Sequence, residues 1–113
     1  MTTSVAVFDD NATRRKGLQL MIDSTSNMVC TGTFEDCSHV MDNIEASRPD
    51  VILMDIDMPY VNGIEGVKKI REKYPDIKIL MQTVFEDDDK IFAAICAGAD
   101  GYILKKPPPA KIN

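Results

Sequence analysis

The chain has 113 residues, a formal net charge of -5 and 44% hydrophobic residues, which suits one domain with a core of its own. The negative balance argues against gripping DNA or an anionic membrane by electrostatics. Three cysteines without CxxC spacing exclude a disulfide frame or zinc site, and His39, the only histidine, excludes a histidine metal cluster. The cysteines read as buried thiols of a cytoplasmic protein. The start "MTTSVAVFDD" has no basic, apolar leader, and no window reaches membrane-spanning length.

In chain order, "VAVF" (5–8) predicts a buried strand, and Leu18, Met21 and Ile22 mark the inward stripe of a first helix. "MVCTGTF" (28–34) mixes polar and apolar residues and predicts an outer strand. Cys37, Val40, Met41 and Ile44 form a second helical stripe that ends before Arg48-Pro49. "VILM" (51–54) is apolar on both faces, as central parallel strands are. A third helix follows over 63–74, with Glu65 and Lys69 spaced for an i,i+4 pair. "IKILM" (77–81), a helix over 89–99 stopping near Gly98, and "GYIL" (101–104) complete the pattern.

Strands alternating with helices through short connections mean an α/β fold with a parallel sheet and right-handed crossovers. Such sheets bind ligands outside the carboxyl ends of their strands. The residues there are Asp9 and Asp10 after the first strand, Asp55 after the third, Thr83 near the end of the fourth and Lys105 after the fifth. Two carboxylates about 4 Å apart repel by about 4 kcal/mol at an effective dielectric near 20. Three together ask for a cation, and oxygen ligands without sulfur or imidazole favour Mg²⁺. Capping of the next helix by Asp9, Asp10 or Asn11 is the plain alternative for "FDDNAT". Asp55 has no such simple alternative, because seven residues separate it from the helix at Gly63. Beside a divalent ion it suits the aspartyl-phosphate chemistry of nucleophilic carboxylates, with Lys105 countering phosphoryl charge.

Taken together, "DD", "DIDMPYVNG", "MQT" and "AGADGYILKK" occur in an order that resembles the receiver domain of bacterial two-component response regulators. The resemblance spans nearly the whole chain. It implies a flavodoxin-like fold, a doubly wound five-stranded parallel sheet of order 2-1-3-4-5. It also implies that Asp55 accepts a phosphoryl group from a sensor histidine kinase or phosphotransfer protein. Asp9, Asp10, Asp55 and the backbone carbonyl of Asp57 would hold Mg²⁺. Lys105 and Thr83 would contact the phosphoryl group, and Tyr102 would be the switch aromatic that turns inward after Thr83 moves. The family does not turn over external substrates; it phosphorylates and slowly dephosphorylates itself.

Lys106 stands between Lys105 and "PPP", an ending similar to the subfamily whose output is a helix-turn-helix DNA-binding domain. Val84, Phe85 and Asp57 occupy positions that tune access to Asp55 or phosphoryl lifetime in this family. The chain stops at Asn113, where a fifth helix is expected. The expectation is therefore one receiver domain over 1–113 cut from a longer regulator, with apolar surface that invites a homodimer. This segment itself is not expected to bind nucleic acid. "FEDDDK" (85–90) reads as acids at a helix N-terminus, His39 as a surface residue, and the seven methionines as core filling.

Two alternatives compete. "LMDID" resembles the nucleophile motif of haloacid-dehalogenase-type phosphatases, but lies mid-chain, is followed by Met58-Pro59, and leaves Asp9 and Asp10 without a task. The second is a degenerate receiver acting only as an interaction module, against which stand all five expected site residues.

Overall fold

The computed structural model describes residues 2–56, 62–83 and 88–104, with Thr83, Asp88 and Leu104 described by their backbone. The elements are β1 (Thr3–Phe8), α1 (Ala12–Asp23), β2 (Met28–Phe34), α2 (Val40–Ser47), β3 (Val51–Asp55), α3 (Gly63–Lys73), β4 (Lys78–Thr83), α4 (Asp88–Ala97) and β5 (Gly101–Leu104). They build one parallel five-stranded sheet of order β2-β1-β3-β4-β5. This is the order expected from the sequence, and it puts the mixed-polarity strand β2 at an edge.

Period-two alternation sends each strand's side chains to opposite faces. Ala6, Phe8, Ile52, Met54, Ile79 and Met81 meet Val40 and Ile44 of α2, Val67 and Ile70 of α3 and Ala94 of α4 in the larger core. Val5 and Val7 face the other way, against Ile22 and Leu18 of α1, with Val51 and Leu53 beside them. Central strands are thus apolar on both faces because helices cover both. Ile103 of β5 pairs with Gln82 and remains 46% exposed.

Local chemistry sets the helix ends. Asn11 caps α1, its Oδ1 accepting the Arg14 N–H at 2.8 Å, and Asn62 caps α3 by accepting the Glu65 N–H at 3.0 Å. Arg71 and Lys73 in the last turn of α3 suit the negative end of its dipole. Helix α2 closes through Arg48 at φ 45°, ahead of Pro49, and α4 runs out into Gly98 at φ 120°.

Several sequence expectations need correction. Met21 is 59% exposed, so the inward stripe of α1 is Leu18 and Ile22, and Met21 lies a quarter turn away. Of the cysteines only Cys37 is buried; Cys30 is half-buried and Cys96 exposed. Cys37 also precedes α2 instead of lying within it. Glu65 pairs with Lys68, at 3.5 Å, and not with Lys69, since both spacings are neighbours on a helix. Strand β4 extends to Thr83, two residues beyond the apolar run, because its polar end continues to pair with β3 and β5. His39 is exposed, as expected. Of "FEDDDK", Phe85, Glu86 and Asp87 lie outside the described residues, while Asp88 and Asp89 open α4, at the helix N-terminus as expected.

Candidate acidic site at the sheet rim

Register decides which acids meet. Phe8 pairs with Met54, so Asp9, leaving β1, comes level with Asp55 at the end of β3. One carboxylate oxygen from each of Asp9, Asp10 and Asp55 lies within 4.8 Å of the others. Asp9 is 1% exposed and Asp55 6%, while Asp10 is exposed. At that separation or less, each charged pair repels by at least about 3.5 kcal/mol for an effective dielectric near 20. The chain places this cost at the one rim where a ligand can relieve it.

Asn11, not Asp9 or Asp10, does the capping of α1. Asp9 instead braces the turn, its Oδ1 accepting the Asn11 N–H at 2.9 Å. Its backbone N–H donates to Phe34 O at 3.0 Å, tying the turn to β2. Arg15 Nη1 donates to Asp9 O at 2.7 Å, and Arg14 Nη1 lies 3.5 Å from Asp9 Oδ1. The sequence reading missed both arginines. A signal was present: cations near a helix N-terminus oppose the dipole, and the first turn of α1 holds no acid, so another group had to hold them.

The end of β3 at Asp55 is held by β4 on one side and by the start of α3 on the other. Asp55 pairs with Gln82 of β4, the Ile56 N–H donates to Gln82 O at 3.2 Å, and the Gly63 N–H donates to Ile56 O at 3.0 Å. Gly63 brings the start of α3 so close that a Cβ there would stand 2.1 Å from Asp55 O. Only glycine permits that approach. The sequence showed Gly63 as a helix start but not this contact.

Thr83 is the last residue of β4, one step past Gln82, and its backbone pairs with Leu104. Tyr102 pairs with Met81 and is 47% exposed. Asp57, Val84, Phe85, Lys105 and Lys106 lie outside the described residues. The donor set that is described consists of carboxylate oxygens alone, two of the three carboxylates being buried, which fits a small hard cation such as Mg²⁺.

A family model for the response regulator receiver domain matches residues 5–113. A transcriptional regulatory protein of Bacillus subtilis, YxjL, is 36% identical over 108 residues, covering 96% of this chain and 50% of that protein. The oxygen regulatory protein NreC of Staphylococcus epidermidis is 33% identical over 109 residues, covering 96% of this chain and 50% of its own length. The chain spans about half the length of the curated relatives it matches. Among solved structures, the response regulator domain of Thermotoga maritima CheB superposes with a TM-score of 0.86 at 33% identity, covering all of this chain and 84% of that one. A LuxR-family response regulator from Aurantimonas gives 0.87 at 26% identity, covering 99% and 80%.

Proposed function

This chain belongs to the response regulator receiver domain family, and on that premise we propose that it is a phosphorylation-controlled switch with Asp55 as the acceptor. The observation that carries the reading is the meeting of Asp9, Asp10 and Asp55 at the carboxyl end of β1 and β3. A carboxylate oxygen of Asp55 attacks the phosphorus of a phosphohistidine on a sensor kinase or phosphotransfer protein. The new P–O bond forms as the P–N bond breaks, and the imidazole departs with the bonding pair. Asp9, Asp10, Asp55 and the Asp57 backbone carbonyl would hold Mg²⁺, which would supply charge neutralisation for the carboxylates and the phosphoryl group. Lys105 counters the remaining charge.

Thr83 donates a hydrogen bond to the phosphoryl group, and Tyr102, now 47% exposed, turns inward. Moving a two-state element from 1:99 to 99:1 takes about 5.5 kcal/mol of differential interaction. Charge-assisted bonds from Lys105 and Thr83 supply part of it. The surface of α4 and β5 then passes the change on. Relatives twice this length are named as transcriptional regulators, so the output proposed for the longer protein is control of transcription by a DNA-binding domain, in the cytoplasm. The described residues contain no helix long and apolar enough to cross a membrane.

The test is incubation with Mg²⁺ and acetyl phosphate followed by intact-mass measurement. One phosphoryl group is expected on the wild-type chain and none on Asp55→Asn. Label persisting in that variant refutes the acceptor assignment, and sustained turnover of an external phosphomonoester would favour a phosphatase instead.

A further inference from the structure

We propose that Arg14 is a built-in competitor for the divalent cation at the acidic rim and so sets how tightly the rim holds it. This inference rests on the cation reading above. Arg14 Nη1 lies 3.5 Å from Oδ1 of Asp9, an almost fully buried carboxylate of the acidic trio. The Arg14 side chain is 37% exposed, so its guanidinium is partly hydrated and withdraws into water at little cost. It sits in the opening turns of α1, where the dipole disfavours a cation, and no acid in the first turn of that helix offers compensation. Its contact is therefore with the rim itself.

Arg15, the next residue, is built differently. Its Nη1 reaches the backbone oxygen of Asp9 at 2.7 Å, which braces the turn without engaging the carboxylate. The two arginines thus separate into a strut and a stand-in cation. A dication approaching Asp9 meets a positive charge already at Oδ1, and its binding must either displace that guanidinium or bear the repulsion. If Arg14 only oriented Asp9, its removal would loosen the cation site; as a competitor, its removal tightens the site.

Calorimetric titration of the full chain with Mg²⁺, at low and at physiological ionic strength, separates these. Arg14→Gln is expected to bind Mg²⁺ about two- to fivefold more tightly at low salt, the upper part of the range measured for surface ion pairs, since Asp9 is buried and Arg14 partly exposed, with the gain shrinking as salt screens it. Arg14→Lys, which keeps the charge, is expected to stay near wild type. An unchanged or weaker affinity in Arg14→Gln overturns the proposal, as does equal tightening in Arg14→Lys. Absence of any Mg²⁺ binding by the wild-type chain overturns the cation reading itself and this inference with it. A matching urea midpoint for each variant shows that the comparison is between folded proteins.

Discussion

Gly63→Ala is the sharpest probe of how α3 is seated against the acceptor strand. The added Cβ would lie 2.1 Å from Asp55 O, 3.0 Å from Asp55 C and 3.1 Å from Ile56 Cα. All three neighbours are backbone atoms, so no side chain can swing aside. A carbon–oxygen contact needs more than 3 Å, so the helix start must retreat by about 1 Å or the end of β3 must move. Overpacking of this kind costs about 1–3 kcal/mol. The usual gain from replacing a helical glycine with alanine offsets up to about 1 kcal/mol, but Gly63 is the first helical residue, where less of it is realised. The net expectation is a loss of about 2 kcal/mol, which lowers the urea midpoint by about 1 M for a typical m value.

Gly17→Ala supplies the control, because nothing lies within 4 Å of a Cβ at that position in α1. There the substitution should raise stability by about 0.5–1 kcal/mol. Opposite signs at two helical glycines are the signature of steric contact at Gly63. Equal or increased stability in Gly63→Ala would refute the close-approach argument. The same displacement moves Asp55 relative to Asp9 and Asp10, so the variant should also accept phosphate from acetyl phosphate more slowly.

Two further outcomes are expected. Arg71 ties α3 to α4 and β4: Nε donates to Gly98 O at 2.7 Å, Nη1 to Ile77 O at 2.5 Å, and Nη2 to Asp100 Oδ2 at 2.6 Å, which also accepts the Ile79 N–H at 2.8 Å. Arg71→Met removes the donor to Gly98 O and Ile77 O and the counter-charge of Asp100, and should cost about 2–4 kcal/mol, with Arg71→Lys recovering less than half because an ammonium cannot match the planar fork; a urea midpoint within error of wild type would contradict the pinning role. Burial, aided by the charge of Asp36 and opposed by Lys69, pushes the Cys37 thiol up to about 12 from 9.0. The group is raised in the folded state, so its contribution to stability is present below about 9 and is lost as pH rises towards 12. At pH 8 an alkylating reagent should therefore modify exposed Cys96 quickly and leave Cys37 untouched until urea unfolds the chain; early labelling of Cys37 would show that its pocket opens.

How much was legible in advance follows from the range of each interaction. Element type and order are local properties: four-residue apolar runs flanked by turn chemistry give strands, and i, i+4 stripes give helices. The alternation of the two leaves few topologies, which is why the parallel sheet and the acids at its carboxyl end were readable from residue order. The phase of α1 was less readable, because Met21 and Leu18 are equally apolar and only packing against β1 and β2 selects Leu18. Cys96 likewise sits on α4, where a small apolar side chain gives no sign of which way it faces.

The sequence by itself determined the alternating architecture and put the acids at strand ends, since both depend on neighbours a few residues away. Tertiary structure alone decided that Phe8 pairs with Met54 and so brings Asp9 level with Asp55. It also decided that Gly63 must lack a Cβ, and that Arg14 and Arg15 meet different oxygens of one aspartate. The strand pairing depends on segments distant in the chain, where a shift of a single residue in register would turn each side chain to the opposite face. The Gly63 and arginine contacts, though between near neighbours in sequence, depend on how the start of α3 and the turn after β1 fold back on their strands.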